Sequence, residues 1–147
     1  MANATRTMAA PASAVHLLHR AGQRADEMFA RNVSNSDLTP RRFAVLQAVG
    51  EADGLSQTAI MKATGIDRSS TSALVRRLVM QGWLQRRRTK RDNRVYAVRL
   101  TSTGREALAA AEPGARSTDQ AVLACLSPTE RTRFLEALKR MVATEEG

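Results

Sequence analysis

The sequence predicts a mainly α-helical protein with one small β-hairpin, which places it in the α+β class. Apolar residues recur every three or four positions through most of the chain, as in amphipathic helices. Two short helical segments are separated by a tight turn that contains glycine, and two strand-like segments enclose a charged connection. Aromatic residues make up only 3% of the chain, so its core must rest on Leu, Val, Ala and Met, as helical cores usually do.

The first two helices are predicted on both sides of a polar loop. Apolar residues from Ala14 to Phe29 alternate at steps of four and three, so they form one stripe that needs a partner surface. Residues 32–37 are polar and are predicted to be the loop. Thr39 and Pro40 then begin a second helix that runs to about Gly50, because threonine can cap free amides and proline fits the first helical position.

The third and fourth helices are predicted to form a helix-turn-helix. Ser56 can cap the third helix, which stops at Gly65 because glycine takes a positive φ at low cost. Asp67 is a good N-cap for a fourth helix that reaches about Gln81. Two short helices joined by such a turn are typical of the helix-turn-helix.

The pattern changes after Gly82. Residues 83–88 and 95–100 are strand-like, and the polar residues 89–94 join them as a hairpin with an arginine-rich tip. A fifth helix is expected from the segment 101–104 to about Leu126, with a kink at Pro113. The last helix begins at Ser127, where Ser-Pro-Thr-Glu combines an N-cap, a proline at the first position and a capping-box glutamate.

Composition limits the classes of protein that remain. The 147 residues, 43% of them apolar, suit one domain. Residues 1–11 have no apolar core for a signal peptide and are expected to be a disordered tail. No run of about 20 apolar residues could span a membrane. The single cysteine, Cys125, permits no internal disulfide and favours the cytoplasm; its apolar neighbours predict a buried, inert thiol, with cysteine-based redox sensing as an alternative.

The positive charge is concentrated in one region. The formal net charge is +9, and residues 68–105 contain eleven basic residues against a single acid, so the rest of the chain is close to neutral. Such a concentration favours a polyanionic partner, and double-stranded DNA fits a helix-turn-helix.

Two surfaces in this region can reach DNA. On the fourth helix, Ser69, Ser72 and Arg76 lie opposite the apolar face, and side chains of this kind contact base edges and phosphates in a major groove. At the hairpin tip, an arginine can enter a narrow minor groove, where the potential is most negative. Asp92 either pairs with a neighbouring arginine or is an ordinary turn residue.

The ordered set of motifs resembles the MarR family over nearly the whole chain. The matching pieces are Leu38-Thr39, the 57–65 helix, Ile66-Asp67, Leu78, Gly82-Trp83-Leu84, Arg86, Asp92-x-Arg94, Leu100-Thr101-x-x-Gly104 and Leu126-Ser127-Pro128-Thr129-Glu130. The resemblance implies an intertwined, triangular homodimer with a winged helix-turn-helix at each lower corner. Residues 12–37 and 102–147 would dimerise and residues 38–101 would bind DNA, all within one structural domain.

The resemblance also assigns roles to residues of the basic region. Arg94 would enter the minor groove with Asp92 as its orienting partner, and residues 68–77 would read the major groove. Arg76 departs from the acidic residue often found there. The candidate DNA contacts are Arg68, Ser69, Ser70, Ser72, Arg76, Arg77, Lys90, Arg91, Asp92 and Arg94. A two-fold dimer predicts a pseudo-palindromic operator with half-sites about 34 Å apart.

Members of this family are usually repressors that a small aromatic or anionic effector releases from DNA. An aromatic wall beside a cation suits an aromatic carboxylate. The candidate effector contacts are His19, Arg20, Phe29, Phe43 and Trp83.

Other classes of function have less support in the sequence. His16 and His19 have no nearby cysteine or acid, so no metal site is expected, and no cofactor motif is present. No nucleophile and base pair indicates an enzyme. A non-specific DNA-architectural protein remains the alternative to a sequence-specific regulator, because charge alone would explain its binding.

Overall fold

A computed structural model describes residues 13–52, 54–89 and 96–143 of the chain. These residues form six helices and one antiparallel hairpin, so the predicted fold class is confirmed. The elements in chain order are α1 (Ala14–Asn32), α2 (Pro40–Gly50), α3 (Gln57–Thr64), α4 (Arg68–Met80), β1 (Leu84–Arg88), β2 (Tyr96–Leu100), α5 (Ser102–Val122) and α6 (Pro128–Ala143). The predicted tail at residues 1–11 and most of the hairpin tip lie outside the described residues.

The predicted helix starts are confirmed by their capping hydrogen bonds. Thr39 Oγ1 accepts from the Arg42 amide at 3.3 Å, and Ser56 Oγ accepts from the Ala59 amide at 3.1 Å. Gly65 ends α3 with φ +70°, in the left-handed region that glycine tolerates best. Each cap satisfies a backbone group that the helix leaves free, so these short polar residues fix where the helices begin and end.

The capping box at the start of α6 is formed as predicted. The Ser127 amide donates to Glu130 Oε2 at 2.8 Å, and the Glu130 amide donates to Ser127 Oγ at 3.2 Å. Helix α5 runs without interruption past Pro113. Its predicted end at Leu126 is wrong, since the helix ends at Val122. The carbonyls of Leu123 and Leu126 are instead satisfied by Arg131 Nε, at 3.0 Å each, and the intervening residues turn.

The two strands of the hairpin pair in a fixed register, and β2 also pairs with Leu55 on its other edge. Leu84 pairs with Leu100 at one end, and Arg88 pairs with Tyr96 at the other. On the second edge of β2, the Leu55 amide donates to Val98 O at 3.0 Å and the Val98 amide donates to Leu55 O at 2.7 Å. The hairpin is therefore attached to the residue that precedes the cap of α3.

One hydrophobic core joins α1, the helix-turn-helix, the hairpin and α5. Its buried members are Phe29, Val33, Leu38, Val45, Leu46, Val49, Ile60, Val75, Leu78, Trp83, Leu84, Val98, Leu100 and Ala111. The exposed large apolar side chains of the long helices lie mainly on the first half of α1 and on α6. No helix in the described ranges is both long enough and apolar enough to cross a membrane.

Helices α1 and α5 approach each other closely at Gly114. A Cβ atom at this position would lie 2.3 Å from the carbonyl oxygen of Asn32, so only glycine fits. Beside this contact, Asn32 Nδ2 donates to Thr118 Oγ1 at 3.1 Å, and the Thr118 hydroxyl donates to Gly114 O at 2.8 Å. The buried Thr118 thus satisfies polar groups on both helices.

Candidate nucleic-acid interface and effector chamber

Helix α4 divides into a buried face and an exposed face, as the sequence predicts. Thr71, Val75 and Leu78 are buried in the core. On the other side, Ser69 and Arg76 are exposed and Ser72 is half-buried. Of the remaining candidates on this helix, Arg68 and Arg77 are exposed and Ser70 is half-buried. The exposed face carries no acidic residue, so it can approach an anion without repulsion.

The start of α4 is held by Asp67. Asp67 Oδ1 accepts from the Ser70 amide and Oδ2 accepts from the Ser70 hydroxyl, both at 2.8 Å. These hydrogen bonds, first that of the amide, lower the pKa of the Asp67 carboxyl from its ordinary value, and the Arg41 guanidinium contributes in the same direction. The Ser70 hydroxyl is therefore engaged in the cap of α4.

Three consecutive arginines of β1 are exposed beside α4. They are Arg86, Arg87 and Arg88. Arg88 is fixed by the opposite strand, because its Nε donates to the Tyr96 hydroxyl oxygen at 3.3 Å and its guanidinium carbon lies 5.7 Å from the ring centroid of Tyr96. The sequence alone indicates these arginines only through the total charge and does not mark them as DNA contacts. That they lie beside α4 follows from the register in which β1 pairs with β2, which the sequence does not specify.

A polar cleft of about 420 Å³ lies between α3, α4 and the hairpin. Its lining residues are Ser56, Gln57, Thr58, Ser72, Arg76, Arg86, Tyr96 and Val98. Two are arginines and none is acidic, so the polar cleft suits an anion. The candidates Lys90, Arg91, Asp92 and Arg94 lie outside the described residues, and their roles stay predictions.

A second cavity, the aromatic chamber, lies between α1, α2 and α5. It has a volume of about 420 Å³, and it is lined by Phe29, Pro40, Phe43, Gln47, Glu112, Ala115, Arg116 and Asp119. Phe29 and Phe43 form one wall, with ring centroids 5.9 Å apart and ring planes tilted by 58°. This volume is in the range of small-molecule sites.

The structure brings only two of the five candidate effector contacts to the aromatic chamber. Phe29 and Phe43 line it, whereas His19 precedes Phe29 by ten residues on α1 and lies in a surface groove with Gly22 and Asp26. Arg20 is exposed on α1 and does not line the chamber, because Phe29 follows it by nine residues, which span about 14 Å along a helix. Trp83 is buried in the core, where its backbone packs against Gly104.

The polar lining of the aromatic chamber was missed by sequence reasoning. Glu112, Arg116 and Asp119 stand at steps of four and three on α5, so they share one helical face. This spacing was available in the sequence. What the sequence lacked was the indication that Phe29 and Phe43 stand opposite that face.

The predicted burial of the Cys125 thiol is wrong. The thiol is exposed, because α5 ends at Val122 and the apolar segment after it forms a surface turn. Within the described ranges, no three His, Cys, Asp or Glu side chains are grouped as metal ligands.

A helix-turn-helix followed by a β-hairpin, with a basic face across both, defines the class of winged-helix DNA-binding transcription regulators. A sequence model of the MarR family matches residues 36–94. The chain is 30% identical to the HTH-type transcriptional repressor NicR of Pseudomonas putida, over 90% of this chain and 84% of the relative. It therefore belongs to the MarR family of transcription regulators.

Solved structures agree with this assignment. BpsR of Bordetella bronchiseptica, whose DNA binding is regulated by 6-hydroxynicotinic acid, superposes with a TM-score of 0.84 at 30% identity, over 90% of this chain and 94% of that chain. PcaV of Streptomyces coelicolor, in complex with its natural ligand, superposes with a TM-score of 0.85 at 29% identity, over 94% of this chain and 100% of that chain.

Proposed function

We propose that this regulator binds a pseudo-palindromic operator as a homodimer and represses transcription until a small aromatic acid enters the aromatic chamber. The observation that carries the DNA side is the acid-free, exposed face of α4 beside the three arginines of β1. Binding to bacterial-type operator DNA would place the protein in the cytoplasm.

The DNA-reading residues are proposed on two elements. Helix α4 would lie in the major groove, where Ser69, Ser72 and Arg76 reach base edges and phosphates and the neighbouring Arg68, Ser70 and Arg77 lie near the backbone. The hairpin tip would place Arg94 in the minor groove, with Asp92 orienting it and Lys90 and Arg91 near phosphates. Two copies related by a two-fold axis would then contact half-sites about 34 Å apart.

The homodimer is supported by the unpartnered apolar faces of the terminal helices. Val15, Leu17 and Leu18 are exposed on α1. Phe134, Leu135, Met141 and Val142 are exposed on α6. An apolar groove of about 370 Å³ also separates α6 from α1 and α5. A second copy would cover these surfaces, with residues 12–37 and 102–147 as the dimerisation part and residues 38–101 as the DNA-binding part.

The effector proposal rests on the position and the chemistry of the aromatic chamber. Phe43 and Gln47 belong to the proposed DNA-binding part, whereas Phe29 and the α5 residues belong to the dimerisation part. A ligand that prefers one arrangement of these parts shifts the population toward it. The Phe29 and Phe43 rings suit an aromatic ligand. Among the described residues, Arg116 is the one cation of the lining that can pair with a carboxylate of that ligand, in competition with Glu112 and Asp119 on the same face of α5. The regulation of BpsR by 6-hydroxynicotinic acid supports this ligand class.

The test is a fluorescence anisotropy titration of the full-length protein on the promoter DNA of its own gene. We expect at least about 10³-fold preference over bulk DNA at physiological salt. A panel of aromatic acids and their thioesters is then added, and release by at least one compound is expected. Equal binding to all DNA would favour the non-specific architectural alternative. Sedimentation at micromolar concentration should show a dimer, and a monomer there would refute the proposed assembly.

A further inference from the structure

We infer that Tyr96, held in place by Arg88, donates a hydrogen bond to a backbone phosphate of the bound DNA in the polar cleft. This inference rests on the proposed operator binding and adds a contact outside α4 and the hairpin tip. Arg88 and Tyr96 face each other across the two strands, at the last described pair before the tip. Both side chains are exposed.

The contact with Arg88 leaves the Tyr96 hydroxyl with a hydrogen to donate. Arg88 Nε donates to the phenol oxygen at 3.3 Å, and the guanidinium lies over the ring, with its central carbon 5.7 Å from the centroid. Arginine has no acceptor, so the O–H of Tyr96 cannot be satisfied by this partner. In the described parts of the chain, the phenol makes no hydrogen bond as donor.

The residues around this O–H group favour an anion as its acceptor. Tyr96 lines the polar cleft together with Arg76, Arg86 and the hydroxyl-bearing Ser72 and Thr58. Among the described residues, no carboxylate lines the polar cleft, so none of them neutralises its two positive charges. Several donors around uncompensated arginines are the chemistry that binds a phosphate.

The position of the polar cleft favours the DNA backbone over a base edge. The first turn of α4, with Arg68 and Ser69, does not line it, whereas Ser72 from the second turn and Arg76 from the third do. A helix that reads bases through its first turns places its later turns and the adjoining hairpin beside the groove wall, where the phosphates lie. A phosphate contact at this point would fix the register of α4 on the duplex without reading sequence.

The first test is Tyr96→Phe, which removes the hydroxyl and keeps the ring under Arg88. On a duplex selected by the wild-type protein from a random pool, we expect about tenfold weaker binding, because a hydrogen bond to a charged group is lost. The same factor is expected on unrelated duplexes, because phosphates carry no sequence. The salt dependence should not change, since a neutral donor releases no counterion. Wild-type affinity in Tyr96→Phe would overturn the proposal.

Arg88 is tested as the positioning residue. Arg88→Gln loses a charge as well as the hold on the phenol, so Arg87→Gln serves as the matched control with the same charge change one position away. We expect Arg88→Gln to bind DNA about tenfold more weakly than Arg87→Gln. In the Tyr96→Phe background, that excess should vanish, because the two side chains act as one unit. Equal affinities of the two glutamine variants in the wild-type background would contradict the positioning role.

The decisive experiment locates the phosphate. Single methylphosphonate linkages, which are uncharged, are placed along the selected duplex. At one position in each half-site, we expect the wild type to lose about tenfold more affinity than Tyr96→Phe, whose smaller loss reflects the charges of Arg76 and Arg86 that remain in the polar cleft. If Tyr96→Phe is weaker at every position without such coupling, the tyrosine only supports the hairpin and the inference is wrong.

Two further outcomes are distinguishable. If inorganic phosphate at constant ionic strength displaces the wild type and Tyr96→Phe equally from DNA, the hydroxyl does not bind phosphate, and the inference fails. If the wild type binds no duplex at all, the proposed function fails first, and this inference falls with it. Unchanged thermal unfolding of Tyr96→Phe shows that the fold is retained.

Discussion

Phe29 on α1 and Phe43 on α2 pack with ring centroids 5.9 Å apart and ring planes tilted by 58°. Phe29 is buried, whereas Phe43 is half-buried and keeps part of its ring toward the aromatic chamber. The pair joins a helix proposed for dimerisation to the first helix of the proposed DNA-binding part. A ligand that packs against Phe43 would therefore act at the junction of the two parts.

The first prediction concerns the aromatic wall. Phe43→Leu keeps an apolar side chain and removes the ring that an aromatic ligand would stack on. We expect the variant to lose about 1 kcal/mol of stability with the loss of the aromatic pair, and to need several-fold more aromatic acid for release from DNA. Urea unfolding and anisotropy titration measure these two effects.

Operator affinity without effector serves as the control for Phe43→Leu, and it should match the wild type, because Phe43 does not lie on the exposed face of α4 or in the polar cleft. An effector response identical to that of the wild type would exclude the aromatic chamber as the binding site.

The close approach of α1 and α5 gives a prediction about stability. In Gly114→Ala the new Cβ would lie 2.3 Å from Asn32 O. Both atoms are fixed to helix backbones, so the clash is relieved only if one helix shifts. Forcing the helices apart costs about 1–3 kcal/mol, which exceeds the gain in helix propensity. Ser117→Ala, at an exposed position of α5, should change stability by less than about 0.5 kcal/mol. A stabilised Gly114→Ala in urea unfolding would contradict this packing.

Local signals in the sequence were sufficient to predict most of the fold. A cap needs only the residues within one helical turn, so Thr39, Ser56 and Asp67 marked their helices without knowledge of the rest of the chain. The end of α5 was mispredicted because the turn after Val122 is held by Arg131 on the next helix, whose Nε donates to the carbonyl oxygens of Leu123 and Leu126. The exposure of Cys125 follows from the same turn.

The candidate site also has one part that the sequence predicts and other parts that it does not. The exposed face of α4 follows from helical periodicity alone, so Ser69 and Arg76 were identified. The polar cleft and the aromatic chamber require contacts between distant segments. Periodicity places Glu112, Arg116 and Asp119 on one face, and only the packing of α5 against α1 and α2 shows that this face borders a cavity.

The hairpin tip is tested by Arg94→Ala. If Arg94 enters the minor groove, its removal should weaken operator binding by at least about 1 kcal/mol and lower the salt dependence by about one counterion. Fluorescence anisotropy at fixed and at varied salt measures both. Arg105→Ala, an equal loss of charge on α5, is the control and should have the smaller effect. Unchanged binding of Arg94→Ala would refute its role.

The cap of α4 predicts a pH-dependent stability. Hydrogen bonds from Ser70 hold the pKa of the folded Asp67 carboxyl below its ordinary value of 3.8. A depressed folded pKa means that the charged carboxylate stabilises the folded state at pH values above 3.8. That contribution disappears as the pH falls through the lower, folded pKa.

Asp67→Asn isolates this contribution, because asparagine caps a helix nearly as well but carries no charge. We expect the wild type to be more stable than Asp67→Asn at neutral pH and the difference to shrink as the pH falls below 3.8, measured by urea unfolding at matched ionic strength. Ser70→Ala removes the hydroxyl donor and keeps the amide, so it should reduce the stability difference between neutral and acid pH only in part. If the difference between wild type and Asp67→Asn is the same at all pH values, the carboxylate charge does not stabilise the start of α4. The helix that carries Ser69 and Arg76 is then held by packing and by a cap that needs no charge.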